Sequence, residues 1–196
     1  MYSLLFGLFA EMALANTESI AYKPNKLTHV EAAALPLVGV SAWQALMENI
    51  GLSKGQRILI HGGAGGIGSI AIQLAKNLGA YVATTVSAND NEFVQGLGAD
   101  QVIDYKSQNF EDLLHDYDAV FDTIGGDIQK LMDQYDIKAI FQFTQADRER
   151  LKKLAQWVDQ NNIRVNVEKT FSLDEAGKAL DYQKNVHPRG KVVLTV

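Results

Sequence analysis

The 196-residue chain contains no cysteine. That excludes disulfides and any zinc site built on thiolates. Its four histidines, His29, His61, His115 and His187, are scattered and never take the H-x-x-x-H spacing that sets two imidazoles on one helix face. They read as surface or supporting residues. Positive charge is in deficit: 18 Lys and Arg against 23 Asp and Glu leave a net charge of −5, which offers no footprint for nucleic acid. Long apolar runs are also lacking. The most apolar stretch, MYSLLFGLFAEMALA, is too short for a membrane span. Its Ala13-Leu14-Ala15 mimics a signal-peptidase site, but no Lys or Arg precedes the run and Glu11 interrupts it. A secretory signal is therefore not expected, and the default location is the cytoplasm. No repeat or low-complexity segment occurs. The apolar fraction of 47% and charged fraction of 21% are those of an ordinary globular chain. Its length suits one good core, or one domain with part of another.

What is present is organised around RILIHGGAGGIGSIAIQLAKNLG, Arg57 to Gly79. Arg57 to His61 is a short apolar run of the kind found in a parallel strand buried on both faces. Ile67, Ile70, Ala71, Leu74, Ala75 and Leu78 then recur at helical spacing, and Gly79 closes the helix. Between them, Gly63-Ala64-Gly65-Gly66-Ile67-Gly68 fits G-x-G-x-x-G. Gly63 permits the tight turn, Gly65 lets the backbone approach a pyrophosphate, and Gly68 lets helix and strand pack closely. The free amides and dipole of the helix start then hold the anion.

Along the rest of the chain, Phe9 to Tyr22 has strand-like pieces around a turn at Asn16-Thr17, and Pro24-Asn25 is a break. Thr28 with Glu31 forms a capping box for a helix that Pro36 interrupts. Ser41 to Ile50 reads as a second helix, ended near Gly51. Strands are expected at Tyr81–Val86, Gln101–Asp104, Asp118–Thr123, Ala139–Phe143, Arg164–Val167 and Lys191–Val196. Helices are expected at Asn91–Leu97, Phe110–His115, Asp127–Gln134, Ala146–Gln160 and, capped by Ser172, Leu173–Tyr182. This alternation predicts an α/β fold, a Rossmann-type doubly wound parallel sheet.

Cofactor choice is read at the end of the second strand. A carboxylate about 20 residues past the glycine motif bonds the ribose 2′-hydroxyl of NAD. Here the place reads Thr85-Val86-Ser87-Ala88-Asn89, with no carboxylate before Asp90. An uncharged site accepts a 2′-phosphate without repulsion, which favours NADPH, although no Arg or Lys stands there to pair with it.

The runs AAALPLVGVSAWQAL, GQRILIHGGAGGIGSIAIQLAKNLGA, LGADQVIDY, DAVFDTIGG, FSLDEAGKAL and HPRGKVVL, in that order, resemble the medium-chain dehydrogenase/reductase superfamily. The nearest resemblance is to its zinc-free quinone oxidoreductase branch, which reduces quinones and activated enones with NADPH. The resemblance implies that Gly63, Ala64, Gly65, Gly66, Ile67 and Gly68 bind NADPH and that Ser87 and Asn89 match the 2′-phosphate loop. It places Tyr105 near the adenosine ribose and phosphate, and Thr123 and Ile124 toward the ribose after the fourth strand. Ser41 matches the hydroxyl residue beside the nicotinamide, and Lys191 the lysine of the closing strand. No residue is assigned as a proton donor. Zinc-dependent members carry a Cys or Asp ligand in the stretch matching LPLVGVSAW, which has none here, so no metal is expected. Hydride then passes directly to a quinone or to the β-carbon of an enone, the cofactor carrying the chemistry. Phe141 and Phe143 are candidates to wall an apolar slot for that substrate.

The resemblance also implies departures. Full members open with a GroES-like domain on the order of a hundred residues. Here only remnants of that β domain are expected at both termini. The expected division is a remnant at 1–25, an NADP-binding Rossmann domain at 26–164, and a C-terminal segment at 165–196 that returns to the catalytic domain. After DTIGGD, about one helix and one strand of the family pattern are missing, which predicts a sheet one strand short, with its remaining strands closed over the vacancy or an edge exposed. A vacated edge could pair a homodimer, the common state of such relatives. The alternative to an active oxidoreductase is a non-catalytic NADP(H)-binding module or an inactive remnant.

Overall fold

The computed structural model describes residues 2–3, 9–109, 116–125 and 144–196. The chain divides into two compact units, Ala42–Phe143 and Met1–Ser41 with Thr144–Val196.

The first part of the chain holds β1 (Tyr2–Ser3), antiparallel to β2 (Ile20–Ala21). Between them, Asn16 caps a single 3-10 turn at Thr17–Ser19 by accepting from the Glu18 amide. Helix α1 (His29–Ala34) begins at the expected capping box: the Glu31 amide donates to Thr28 Oγ1, and the Thr28 amide to Glu31 Oε2. Helix α2 (Pro36–Trp43) follows at once. The second helix thus starts at Pro36 and not at Ser41. A proline's fixed φ suits the first position of a helix, where its missing N–H costs nothing. From Gln44 to Ile50 the winding widens into π-type turns, which end at Gly51 in the left-handed region (φ +68°).

Strands β3 (Arg57–His61), β4 (Tyr81–Val86), β5 (Gln101–Asp104) and β6 (Ala119–Asp122) form one parallel sheet in the order β5-β4-β3-β6. Ile58, Leu59 and Ile60 of β3 are buried, which accounts for their unbroken apolar character, and Val82 to Val86 of β4 are buried too, Thr84 and Thr85 among them. Helix α3 (Gly66–Asn77) crosses from β3 to β4 and buries Gly68 through Ala75. It ends at Leu78, and Gly79 takes the positive φ (+82°) that releases the chain into β4. Helix α4 (Asn91–Gly96) leads from β4 to β5. At the amino end of the sheet, the Arg57 guanidinium lies 4.2 Å from the Tyr81 ring and 4.8 Å from the Tyr117 ring. This is the expected Rossmann-type sheet. The expected elements at Phe110–His115, Asp127–Gln134 and Ala139–Phe143, the latter with Phe141 and Phe143, lie outside the described residues.

The last part of the chain holds α5 (Arg148–Asn161), β7 (Val167–Ser172), α6 (Ala176–Val186) and β8 (Lys191–Thr195). Asp147 caps α5 by accepting from the Arg150 amide at 2.8 Å. Leu151, Leu154 and Val158 turn inward, and Gly39 of α2 lets Leu154 approach so closely that a Cβ there would stand 2.5 Å from Leu154 Cδ2. Strand β7 pairs parallel with β8. It begins at Val167, where the sequence suggests a strand at Arg164–Val167. Most of β7 is exposed, so its backbone pairing leaves no apolar signature. A 3-10 turn at Leu173–Glu175 precedes α6, and Ser172, although it stands at the cap position, makes no side-chain capping bond. In place of a β domain, the described residues contain two two-stranded sheets and no closed barrel.

Candidate functional site

Every strand of the four-stranded sheet runs, at its carboxyl end, into residues singled out from the sequence. β3 leads into the glycine turn, β4 into Ser87 and Asn89, β5 into Tyr105, and β6 into Thr123 and Ile124. β4 and β5 build out on one side of β3 and β6 on the other. The glycine turn therefore lies where the strand order reverses, the crevice in which open α/β sheets bind ligands.

The three motif glycines are glycines for different reasons. A Cβ on Gly63 would lie 2.1 Å from Thr84 Oγ1, and one on Gly68 would lie 2.2 Å from the Gly62 carbonyl oxygen. Side-chain and backbone neighbours thus forbid a side chain at both. The positive φ of the turn (+82°) is carried by Gly62, one residue before the position expected to supply the tight turn. Gly65 differs: a Cβ there would meet only the Gly62 carbonyl oxygen, at 3.5 Å. Its φ of −70° is open to any residue, and it is exposed. Nothing in the fold requires a glycine there.

Two threonines fix the turn. The Gly62 amide donates to Thr85 Oγ1 at 3.1 Å, and the Gly63 amide to Thr85 O at 3.1 Å. Thr85 Oγ1 also lies 2.6 Å from His61 Nδ1. From β6, the Thr123 hydroxyl donates to His61 O at 2.7 Å. The first intrahelical bond of α3 runs from the Ser69 amide to Gly65 O, at 3.0 Å. The amides of Gly66, Ile67 and Gly68 precede it and so have no partner within the helix. Together with the helix dipole they suit an anion.

At the end of β4, the Ser87 hydroxyl donates to Asp90 Oδ2 at 2.7 Å, and the Asp90 amide donates to Ser87 O at 2.9 Å. Asn89 is exposed in the same turn. Tyr105 is 51% exposed, and its amide donates to Val86 O at 3.2 Å. Beside it, Asp104 accepts from the Ser107 hydroxyl at 2.8 Å and the Lys106 amide at 3.1 Å. These bonds, the serine's first, with a smaller share from the Ala88 amide, hold its carboxyl below the usual aspartate range. Ile124, exposed, and Thr123 both lie against Gly62.

The two remaining candidates belong to the other unit. Ser41 is buried; its hydroxyl donates to Leu37 O at 2.8 Å and lies 2.6 Å from Thr144 Oγ1. Lys191 opens β8, and its amide donates to Asn166 O at 3.1 Å. Gly62, Thr84, Thr85 and Asp90 also belong to the site, through the positive φ of the turn, the space beside Gly63, the Gly62 amide and the Ser87 hydroxyl. Two hydroxyls at the end of a strand buried on both faces were the available signal for the threonines. Among the described residues no three or more His, Asp or Glu side chains form a group able to hold a metal, and the chain has no cysteine. A zinc donor set does not occur there. Nor is any helix among the described residues long and apolar enough to cross a membrane.

Two family models, both described as zinc-binding dehydrogenase, match the chain at residues 66–137 and 129–194. A 2-methylene-furan-3-one reductase of Solanum lycopersicum is 35% identical over 96% of the chain and 53% of its own length. The mitochondrial NAD(P)H oxidoreductase RTN4IP1 of Mus musculus is 30% identical over 97% of the chain and 61% of its own length. The alignment with it runs over 243 residues, more than the 196 of this chain, so the mouse protein carries stretches that are missing here within the matched span. Among solved structures, the quinone oxidoreductase from Coxiella burnetii superposes with a TM-score of 0.84 at 32% identity, covering 93% of this chain and 65% of that one. The chain thus spans little more than half the length of the curated relatives it matches.

Proposed function

The chain belongs to the medium-chain dehydrogenase/reductase superfamily, and from that premise we propose that it is a zinc-independent, NADPH-dependent oxidoreductase that reduces quinones or activated enones. One observation carries the dinucleotide site. Gly63 and Gly68 are closed off by the protein itself, whereas Gly65 is open, exposed and conformationally ordinary. A ligand that must come within contact of the backbone accounts for a glycine at that position.

In this reading the amides of Gly66, Ile67 and Gly68 hold the pyrophosphate, with Gly63, Ala64 and Gly65 forming the wall it lies against. Ser87, Asn89 and Tyr105 face the adenosine ribose and its 2′-phosphate, and Thr123 and Ile124 the ribose beyond. When bound, the reduced nicotinamide supplies a hydride for the quinone or the β-carbon of the enone. The chain's own part is to orient the two and to keep water out. The names of the relatives, a furanone reductase and a quinone oxidoreductase, support that substrate class. We read the two small sheets as remnants of a GroES-like domain at 1–25 and 165–196, flanking a Rossmann domain at 26–164. A second copy of the chain is the proposed partner, and the cytoplasm the proposed location.

A non-catalytic NADP(H)-binding module is the second reading, favoured by the stretches of the mouse relative that are missing here within the matched span. NADPH oxidation by the purified chain, with a benzoquinone and an alkyl vinyl ketone as acceptors, separates the two. Acceptor-dependent turnover is the expected result. Saturable NADPH binding without turnover would leave the binding module in its place.

A further inference from the structure

We propose that Asp90 is the residue that limits discrimination in favour of NADPH, by holding the Ser87 hydroxyl that a 2′-phosphate would otherwise engage. The inference rests on the reading that a dinucleotide lies along the glycine turn, and it adds what decides between the two dinucleotides. From sequence the turn Ser87-Ala88-Asn89 is uncharged. In the structure it is not, because the chain folds Asp90 back onto it: Ser87 Oγ donates to Asp90 Oδ2 at 2.7 Å, and the Asp90 amide closes the turn on Ser87 O at 2.9 Å. A second carboxylate, Asp104, ends the neighbouring strand β5, where it accepts from the Ser107 hydroxyl at 2.8 Å and the Lys106 amide at 3.1 Å. A lysine, Lys106, stands near, with its Nζ 6.0 Å from the centre of the Tyr105 ring.

A serine hydroxyl has one proton. Ser87 donates it to Asp90 or to a 2′-phosphate, but not to both. A 2′-phosphate would also sit beside the Asp90 carboxylate, and like charges at that range repel. A 2′-hydroxyl meets neither obstacle, because it can itself donate to the carboxylate. Asp90 therefore penalises NADPH specifically, and NADH binds in its presence without that penalty.

Dissociation constants for NADPH and NADH, measured by cofactor fluorescence on the wild-type chain and on Asp90→Asn, test this. Asparagine keeps the size of the side chain but replaces the charged acceptor with a neutral amide, which holds the Ser87 hydroxyl more weakly and brings an NH2 that can itself donate to a phosphate. Glu92→Gln, an exposed neighbour on α4, controls for loss of any nearby negative charge. The expected result is a gain of about tenfold in NADPH affinity for Asp90→Asn, with NADH changed less than about twofold and Glu92→Gln leaving the ratio near wild type. If Asp90→Asn does not fold, as judged by circular dichroism, Asp90→Ser is read in the same way. An unchanged NADPH to NADH ratio, or an equal shift from Glu92→Gln, overturns the inference and leaves the dinucleotide site standing. Failure of the folded wild-type chain to bind either cofactor overturns both.

Discussion

Thr84 and Gly63 contend for the same space: a carbon added to Gly63 would lie 2.1 Å from the Thr84 hydroxyl oxygen and 2.9 Å from Ile72 Cδ1. Gly63→Ala should therefore destabilise the chain by about 1–3 kcal/mol, the usual cost of overpacking a filled core. Thr84→Ala removes the blocking oxygen, at the cost of its bond to Ile60 O. In urea unfolding, the double variant should be more stable than the sum of the single effects by about 1 kcal/mol. Gly68→Ala has no such remedy, since its neighbours are the Gly62 carbonyl oxygen and Gly63 Cα. It should cost at least as much as Gly63→Ala, with no recovery on trimming Thr84.

Asp159 of α5 ties down the segment before α1. Its Oδ2 accepts from the Asn25 amide at 3.0 Å and the Asn25 side chain at 2.9 Å, and its Oδ1 from the Lys26 amide at 3.0 Å. Burial works against ionisation of this carboxyl, but these bonds outweigh it and hold it below the usual aspartate range. A carboxyl depressed in the folded state stabilises above its unfolded value and loses that contribution as pH falls through the folded one. Asp159→Asn should therefore cost about 1–2 kcal/mol at neutral pH. The difference from wild type should shrink as the pH is taken below about 4, as read from thermal melts across that range. A difference that stays constant with pH would contradict the assignment.

Much of the parallel sheet could be read from sequence because β3 and β4 are buried on both faces and α3 carries its apolar residues at helical spacing. The glycine turn was legible for the same reason: its residues fall between two strongly patterned elements. The capping box at Thr28 and Glu31 was legible because its chemistry is local. What escaped depends on contacts between residues distant in sequence or on backbone pairing alone. Strand β7 is mostly exposed and carries no apolar period. The closeness of Gly63 to Thr84 depends on the register of β3 against β4, which pairs Ile60 with Thr84. Asp90 was visible as a residue, but its hydrogen bond to Ser87 depends on the 3-10 turn that follows β4. A proline inside a helical pattern usually breaks the helix, so Pro36 carries a misleading local signal. Here it occupies the first turn of the next helix.

The central claim is that a dinucleotide lies against Gly65, and the most direct measurement is an NADPH titration, followed by cofactor fluorescence, of the wild-type chain and of Gly65→Ala. The new methyl group meets only one atom, at 3.5 Å, so the melting profile should stay close to wild type, within about 1 kcal/mol. The account predicts saturable binding to wild type and a loss of about tenfold or more in Gly65→Ala. Equal affinity in the two folded proteins would contradict it, as would a wild-type chain that binds no cofactor.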